Sequence, residues 1–358
     1  MKYRTKWFVL VFLGMVAILI KLFSMDGDRV ENYYSAGIYP VISKILRFSF
    51  GWIPFSLGDI IYGIAVIWLL WTLVKFMKAV FQKQMNTERL QLVFYKLLVL
   101  SLILYSAFNI FWGINYNRKG IASQLGLSVE KYSVPELKMI DSILLQRVNE
   151  SKIRLSKKTT DISHKEIYRG VLDAYAALNK RYSFLNYETP SVKKSLWGWV
   201  GNYLGFIGYY NPLTGEANVN TSVPIFLQPY TTCHEMAHQL GYAKEDEANF
   251  VGYLAASGSR SSWFNYSVYV DLFTYANRTL YRVDSVTAIQ NKAKLLPEVK
   301  ADLQQWKTFM EQHRNPVEPI IRWMYGKFLQ SNDQPAGVFS YDEVTGLLIA
   351  YYKKYGRI

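Results

Sequence analysis

A single cysteine, Cys233, stands among 358 residues, so no intramolecular disulfide can form. An oxidising compartment is tolerated but not exploited. Histidine is almost as scarce, at four. Charged residues make up only 19% of the chain against 51% hydrophobic, which excludes a disordered polymer and points towards membrane contact. There is no internal repeat, low-complexity tract or Gly/Ser-rich linker. Nor is there a long basic run or a nucleic-acid-binding motif to match the net charge of +14. Residues 1–114 hold 12 basic and 5 acidic side chains and residues 115–358 hold 29 and 22, so half the excess is juxtamembrane, where it suits anionic lipid. Nucleic acid is not an expected partner.

Aromatic residues are plentiful, with ten Trp, 28 Tyr and 20 Phe, and the apolar residues cluster. Residues 97–117, "LLVLSLILYSAFNIFWGINYN", run for 21 positions without a charge, enough to cross about 30 Å of hydrocarbon. "WFVLVFLGMVAILIKLFSM" (7–25) contains one lysine near its end, and "IIYGIAVIWLLWTLV" (60–74) is a shorter core. Three transmembrane helices are therefore expected within a membrane anchor, residues 1–117. The first is an uncleaved anchor, because no small-x-small site follows it. Lys2, Arg4 and Lys6 precede the first span, and Lys75, Lys78, Lys83, Arg89 and Lys96 lie between the second and third. The positive-inside bias puts the amino terminus in the cytoplasm and residues 118–358 outside.

Beyond residue 117 the pattern is mainly helical. Ser133 and Glu136 read as a capping box ahead of "VPELKMIDSILLQRVNES", and "HKEIYRGVLDAYAALNKRY" repeats the helical period. "WGWVGNYLGFIGYYNPLTGEANVN" (197–220) reads as a hairpin or edge strand, with Leu213-Thr214-Gly215-Glu216 as its turn and Glu216 solvated. The fold class expected is an α-helical membrane anchor plus a mainly α (α+β) domain with a small antiparallel sheet.

"TTCHEMAHQLGYAKEDEAN" (231–249) concentrates two of the four histidines. Thr231 or Thr232 is suited to capping a helix there and Gly241 to ending it. His234 and His238, four apart, project from one face, where two imidazole nitrogens can share a cation of Zn²⁺ size. Glu235 is positioned to take a proton from a bound water. A third ligand is expected among Glu245, Asp246 and Glu247. Glu245 is preferred because Asn249 shares its face and can hydrogen-bond the outer nitrogen of a ligating histidine; Glu247 remains the alternative. Cys233 reads as a small buried residue, His164 as a surface or capping residue, and His313 as a partner for a helix C-terminal dipole. The tyrosines offer no single transition-state electrophile.

"HEMAH" followed by "EDEAN" resembles the gluzincin superfamily of zinc metallopeptidases, in which a later glutamate opens a Glu-x-x-Ala-Asp/Asn motif, here Glu245, Ala248 and Asn249. The layout also resembles an uncharacterised family of bacterial three-span membrane proteins with an external metallopeptidase-like domain. The spacing from His238 to Glu245 is shorter than in most gluzincins, and Lys244 occupies the place of the third metzincin histidine. The resemblance implies a zincin-like domain at 118–358, Zn²⁺, peptide-bond hydrolysis, and residues 207–220 as an edge strand that holds a peptide or protein substrate. The motif begins 117 residues after the last uncharged run, which argues against cleavage within the bilayer. Two other readings stay open: a structural or sensory metal site in a non-enzymatic membrane protein, and a metal-dependent amidase acting on cell-wall peptides.

Overall fold

The computed structural model describes residues 3–156 and 162–358. Lys2, one of the basic residues used for orientation, lies outside them. Helix α1 (Tyr3–Ser24) is followed by a short turn, α2 (Gly27–Arg29), and a π-helical stretch, Val30–Ile38, that runs into α3 (Tyr39–Phe50). Two 25-residue helices come next, α4 (Leu57–Phe81) and α5 (Thr87–Phe111). Three helices, at Arg4–Ser24, Leu57–Phe81 and Thr87–Phe111, are long and apolar enough to cross a membrane. The second is a full-length apolar helix rather than the shorter core read from sequence. The third ends at Phe111, six residues before the uncharged run does. Gly113–Asn117 instead forms a tight 3₁₀ turn with Gly113, Ile114, Asn115 and Tyr116 buried in the body of the protein.

Helices α6 (Gly120–Gln124), α7 (Val134–Ser156) and α8 (His164–Arg181) follow. Ser133 and Glu136 do cap α7 reciprocally, the backbone N–H of Ser133 reaching Glu136 Oε2 at 2.6 Å, and Ser163 and Glu166 repeat the device at α8. His164 is the exposed first residue of α8, and Ser163 rather than His164 is its cap. Strand β1 (Val192–Lys194), helix α9 (Gly198–Leu204) and the hairpin β2 (Gly208–Asn211)–β3 (Glu216–Val219) come next. The sheet order is β1-β3-β2, with β1 parallel and β2 antiparallel to β3. The sheet is therefore mixed, not antiparallel as expected, and the first third of the aromatic stretch is helix.

The remainder is helical: α10 (Gln228–Gln239), α11 (Glu245–Ser257), α12 (Ser262–Val283), α13 (Ser285–Ala293), α14 (Pro297–Gln312), α15 (Glu318–Ser331) and α16 (Val344–Tyr355). The main core joins apolar faces of α7, α8, α10, α11, α12 and α16. Every residue of α10 is buried, so this helix runs through the centre of the body. His313 ends α14, its Nδ1 lying 2.8 Å from the Phe309 carbonyl, as suits a helix C-terminus.

Glu216 corrects the turn reading. It is fully buried, and its carboxylate accepts from the backbone N–H of Leu57 (3.0 Å) and Gly58 (2.7 Å) and from the hydroxyls of Ser56 and Thr214. The anionic side chain thus sits on the N-terminus of α4, where four backbone donors have no partner within the helix. Asp59, also fully buried, accepts from the backbone N–H of Leu196 (2.7 Å) and from the Tyr209 hydroxyl.

Candidate metal centre

Helix α10 starts at Gln228, with Pro229 in its first turn, three residues before the expected cap. Thr231 and Thr232 lie inside it and return their hydroxyls to the carbonyls of Leu227 and Gln228. Proline is tolerated in a first turn because its missing N–H would be unpaired there anyway. Gly241, at φ +85°, ends the helix as expected. Lys244 is extended and α11 begins at Glu245, which brings that carboxylate back across the face of α10.

His234, His238 and Glu245 converge. The two Nε2 atoms are 3.1 Å apart, and Glu245 Oε2 lies 3.2 Å from that of His234 and 3.6 Å from that of His238. Bonds of 2.0–2.1 Å in a tetrahedral shell place neighbouring ligand atoms about 3.3 Å apart. The three donors fit that spacing. Glu245 Oε2 is buried without a hydrogen-bond partner, although both imidazoles are near it. His238 Nδ1 is 2.7 Å from the Tyr242 carbonyl, which can only accept, so Nδ1 carries a proton and Nε2 is the nitrogen left to bind a cation when the ring is neutral. His234, Glu235 and His238 also place a donor atom each within 4.8 Å of one another. The set suits a divalent ion of the nitrogen- and oxygen-binding kind.

Electrostatics points the same way. An ionised carboxylate inside a protein costs several kcal/mol unless positive charge or donors meet it. Burial works to raise the Glu245 carboxyl, yet the adjacent imidazoles hold it well below the usual range. Its other oxygen accepts from the Tyr325 hydroxyl at 2.6 Å. Burial pushes Glu235 up to about 7, opposed by the two histidines and reinforced by Glu245. Glu235 Oε2 has no partner, and Glu235 packs under β2. A Cβ at Gly208 would stand 2.5 Å from Glu235 Oε1, so this strand position has room only for glycine.

Asn249 does not meet either imidazole. Its side-chain amide donates to the Tyr341 carbonyl at 3.3 Å, and its backbone carbonyl accepts from the Tyr230 hydroxyl. Glu247 points to the far side of α11, against Gly120, and is not part of the cluster. Asp246 is not in the cluster either. Cys233 is buried, and burial pushes its thiol well above the ordinary range; it is not a ligand.

Sequence reasoning missed the surroundings. Tyr341 stacks on His234 with ring centres 6.1 Å apart, and Trp112 meets His238 edge-on at 5.7 Å. The last carbonyls of α10, which lack partners within the helix, are satisfied from segments that flank the long apolar helices. Trp112 Nε1 and the Tyr39 hydroxyl donate to the His238 carbonyl (3.1 and 3.2 Å), and Tyr39 and Ser43 donate to that of Gln239 (3.1 and 2.8 Å). Arg118 pairs with Glu31 at 2.7 Å and donates to the Gly241 carbonyl at 3.1 Å. These contacts join residues scores of positions apart, and no local pattern announces them.

Fold and site define a mostly helical protein with three long apolar helices and a buried His-Glu-x-x-His cluster closed by a glutamate from the next helix. A family model described as a protein of unknown function (DUF3810) matches residues 34–349, and the chain belongs to that family. The match takes in α4, α5 and the whole cluster. No curated protein and no solved structure matches the chain.

Proposed function

We propose that this chain is a multi-pass membrane zinc metallopeptidase of the gluzincin type. His234, His238 and Glu245 hold the metal and Glu235 serves as general base. The observation that carries the reading is the convergence of three ligand atoms at 3.1, 3.2 and 3.6 Å beside a second carboxylate that has a free oxygen. A divalent ion there supplies a Lewis acid that polarises a carbonyl and acidifies a bound water. Glu235, buried beside the cluster with one oxygen free of partners, is placed to take a proton from that water and later return it.

The edge strand supports a peptide as substrate. Asn220 N–H bonds to the Ile207 carbonyl, so Tyr209 and Asn211 also face β3, and the backbone groups of Gly208 and Tyr210 point to the open edge of the sheet. An extended chain added there would run past Glu235. Sidedness follows from the basic residues: α1 enters from the cytoplasm and the body of the protein stands outside.

The test uses the full-length protein. Wild type should hold one zinc per chain and Glu235→Gln should keep it while losing hydrolysis of peptides. Absence of stoichiometric zinc in wild type would defeat the proposal. One observation favours a structural or sensory metal site instead: His234, Glu235, His238 and Glu245 are each no more than 7% exposed. A groove of about 710 Å³ between residues 222–225 and α14 is lined by none of them. On that reading Glu235→Gln leaves function intact while His234→Ala removes it.

A further inference from the structure

Helix α3 is amphipathic in the reverse sense for a water-soluble protein. Its buried face carries Tyr39, Ser43 and Arg47, committed to the end of α10 and, for Arg47, to the Tyr187 ring at 4.6 Å. Its outer face carries Val41, Ile45 and Phe48, exposed by 57, 58 and 75%, continued by Ile38 before it and Trp52 after it. Spacings of three and four keep all five on one stripe. In water such a stripe would face inwards.

Helix α15 repeats the pattern. Ile320, Trp323 and Met324 are more than half exposed, while Tyr325 reaches in to Glu245. Phe328, on the same helix, meets Phe108 at 6.0 Å, one turn before α5 ends. Lys327 shares the outer face, where its long stem can carry the charge to the head-group level. Trp197 donates its indole N–H to the Asp59 carbonyl, and its ring lies 3.0 Å from where a Cβ of Gly63 would be, two turns into α4.

The apolar face of α15 therefore adjoins the end of a long apolar helix through Phe328 and Phe108. α3 also falls between α1 and α4 in sequence, so both its ends are tied to them. That continuity selects lipid over a protein partner as the occupant. We propose that α3 and α15 lie in the membrane–water interface with these stripes in the acyl region, and that the metal centre takes extended polypeptide segments held at the bilayer surface. The placement follows from the apolar faces; the substrate class rests on the hydrolytic reading above. Trp112, one residue beyond α5, already touches His238, so the centre stands at the level where a membrane-anchored chain emerges.

The buried Cys233 leaves a single introduced cysteine as the only surface thiol, so Ile45→Cys, Phe48→Cys, Trp323→Cys and the exposed control Lys165→Cys can be labelled one at a time. In full-length protein in phosphatidylcholine–phosphatidylglycerol vesicles, the first three labels should be quenched by a lipid-borne nitroxide and shielded from iodide, the reverse of Lys165. Iodide quenching at any of the three as strong as at Lys165 overturns the placement. In the same vesicles, a randomised fluorogenic peptide mixture is offered free or joined to a membrane-spanning anchor. Cleavage of the anchored form should be at least about ten-fold faster, because tethering raises its local concentration. Equal rates overturn the substrate class and leave the labelling result standing. No cleavage of either form overturns the hydrolytic reading and the substrate class with it, again without touching the placement.

Discussion

Trp112, the first residue past α5, donates its indole N–H to the carbonyl of His238 at 3.1 Å and sets its ring edge-on to that imidazole. One side chain thus joins the end of a long apolar helix to a candidate ligand. Trp112→Phe keeps a ring but deletes the donor. The Tyr39 hydroxyl still serves the same carbonyl, so the loss should be about 0.5–1.5 kcal/mol of stability. His238 loses part of its support, and metal affinity should fall, though by less than the roughly 10–100-fold that follows loss of a partner on the imidazole itself. Competition against a chromogenic chelator reads the second effect; unchanged affinity would separate the helix end from the site.

The neighbouring carboxylates of α11 have different fates. Glu245→Gln removes the negative charge from between two imidazoles and should strip the metal from the purified protein. Glu247→Gln should leave metal content unchanged, since Glu247 lies against Gly120 on the other side of the helix. Burial pushes Glu247 up to about 7, so the amide also replaces a carboxyl whose charged form the site disfavours. Elemental analysis of both variants decides; metal lost from the Glu247 variant alone would exchange their roles.

His234, Glu235 and His238 were legible because a helix repeats every 3.6 residues, and their spacing alone sets two imidazoles on one face. Glu245 was legible because it shares a helical face with Asn249, but the role given to Asn249 was not: Asn249 holds the Tyr341 carbonyl, and Tyr242 orients His238. Glu216 misled because Leu-Thr-Gly-Glu has turn composition, while its carboxylate answers a helix N-terminus some 160 residues earlier in the chain, at Ser56–Gly58. The apolar stripe of α3 was equally hidden, since a local pattern gives the amphipathicity of a helix but not which face is turned inwards.

Asp141, fully buried on α7, offers a pH test away from the metal centre. Burial pushes its carboxyl up to about 6, against hydrogen bonds from Asn291 and Asn277 that favour the anion. Its folded value lies above its unfolded one, so the folded state binds the proton more tightly. The contribution is fully present below about pH 4 and is lost as pH rises through about 6. Asp141→Asn keeps an acceptor for both asparagines and cannot ionise. Relative to wild type it should gain on the order of 1–3 kcal/mol between pH 4 and pH 7.5. Thermal unfolding at the two pH values measures it, and an unchanged difference would show that the carboxyl titrates normally.

Glu216 binds the hairpin to the start of α4, and Asp59 returns the favour by accepting from Tyr209 on β2. The strand beside Glu235 is therefore held by two buried carboxylates at the point where a long apolar helix begins. Glu216→Ala would leave the N–H groups of Leu57 and Gly58 without their acceptor, and each buried unpaired donor costs about 1–3 kcal/mol. Glu216→Gln keeps an oxygen but loses the charge that complements the helix dipole, worth roughly 0.3–2 kcal/mol. The alanine variant should unfold at a lower temperature than the glutamine variant, and both below wild type. Because β2 passes over Glu235, both should also lose the proposed hydrolysis while keeping zinc, since the proposed ligands sit on α10 and α11 rather than on the hairpin. Zinc lost in step with stability would mean that the hairpin supports the whole centre rather than only the proposed substrate face.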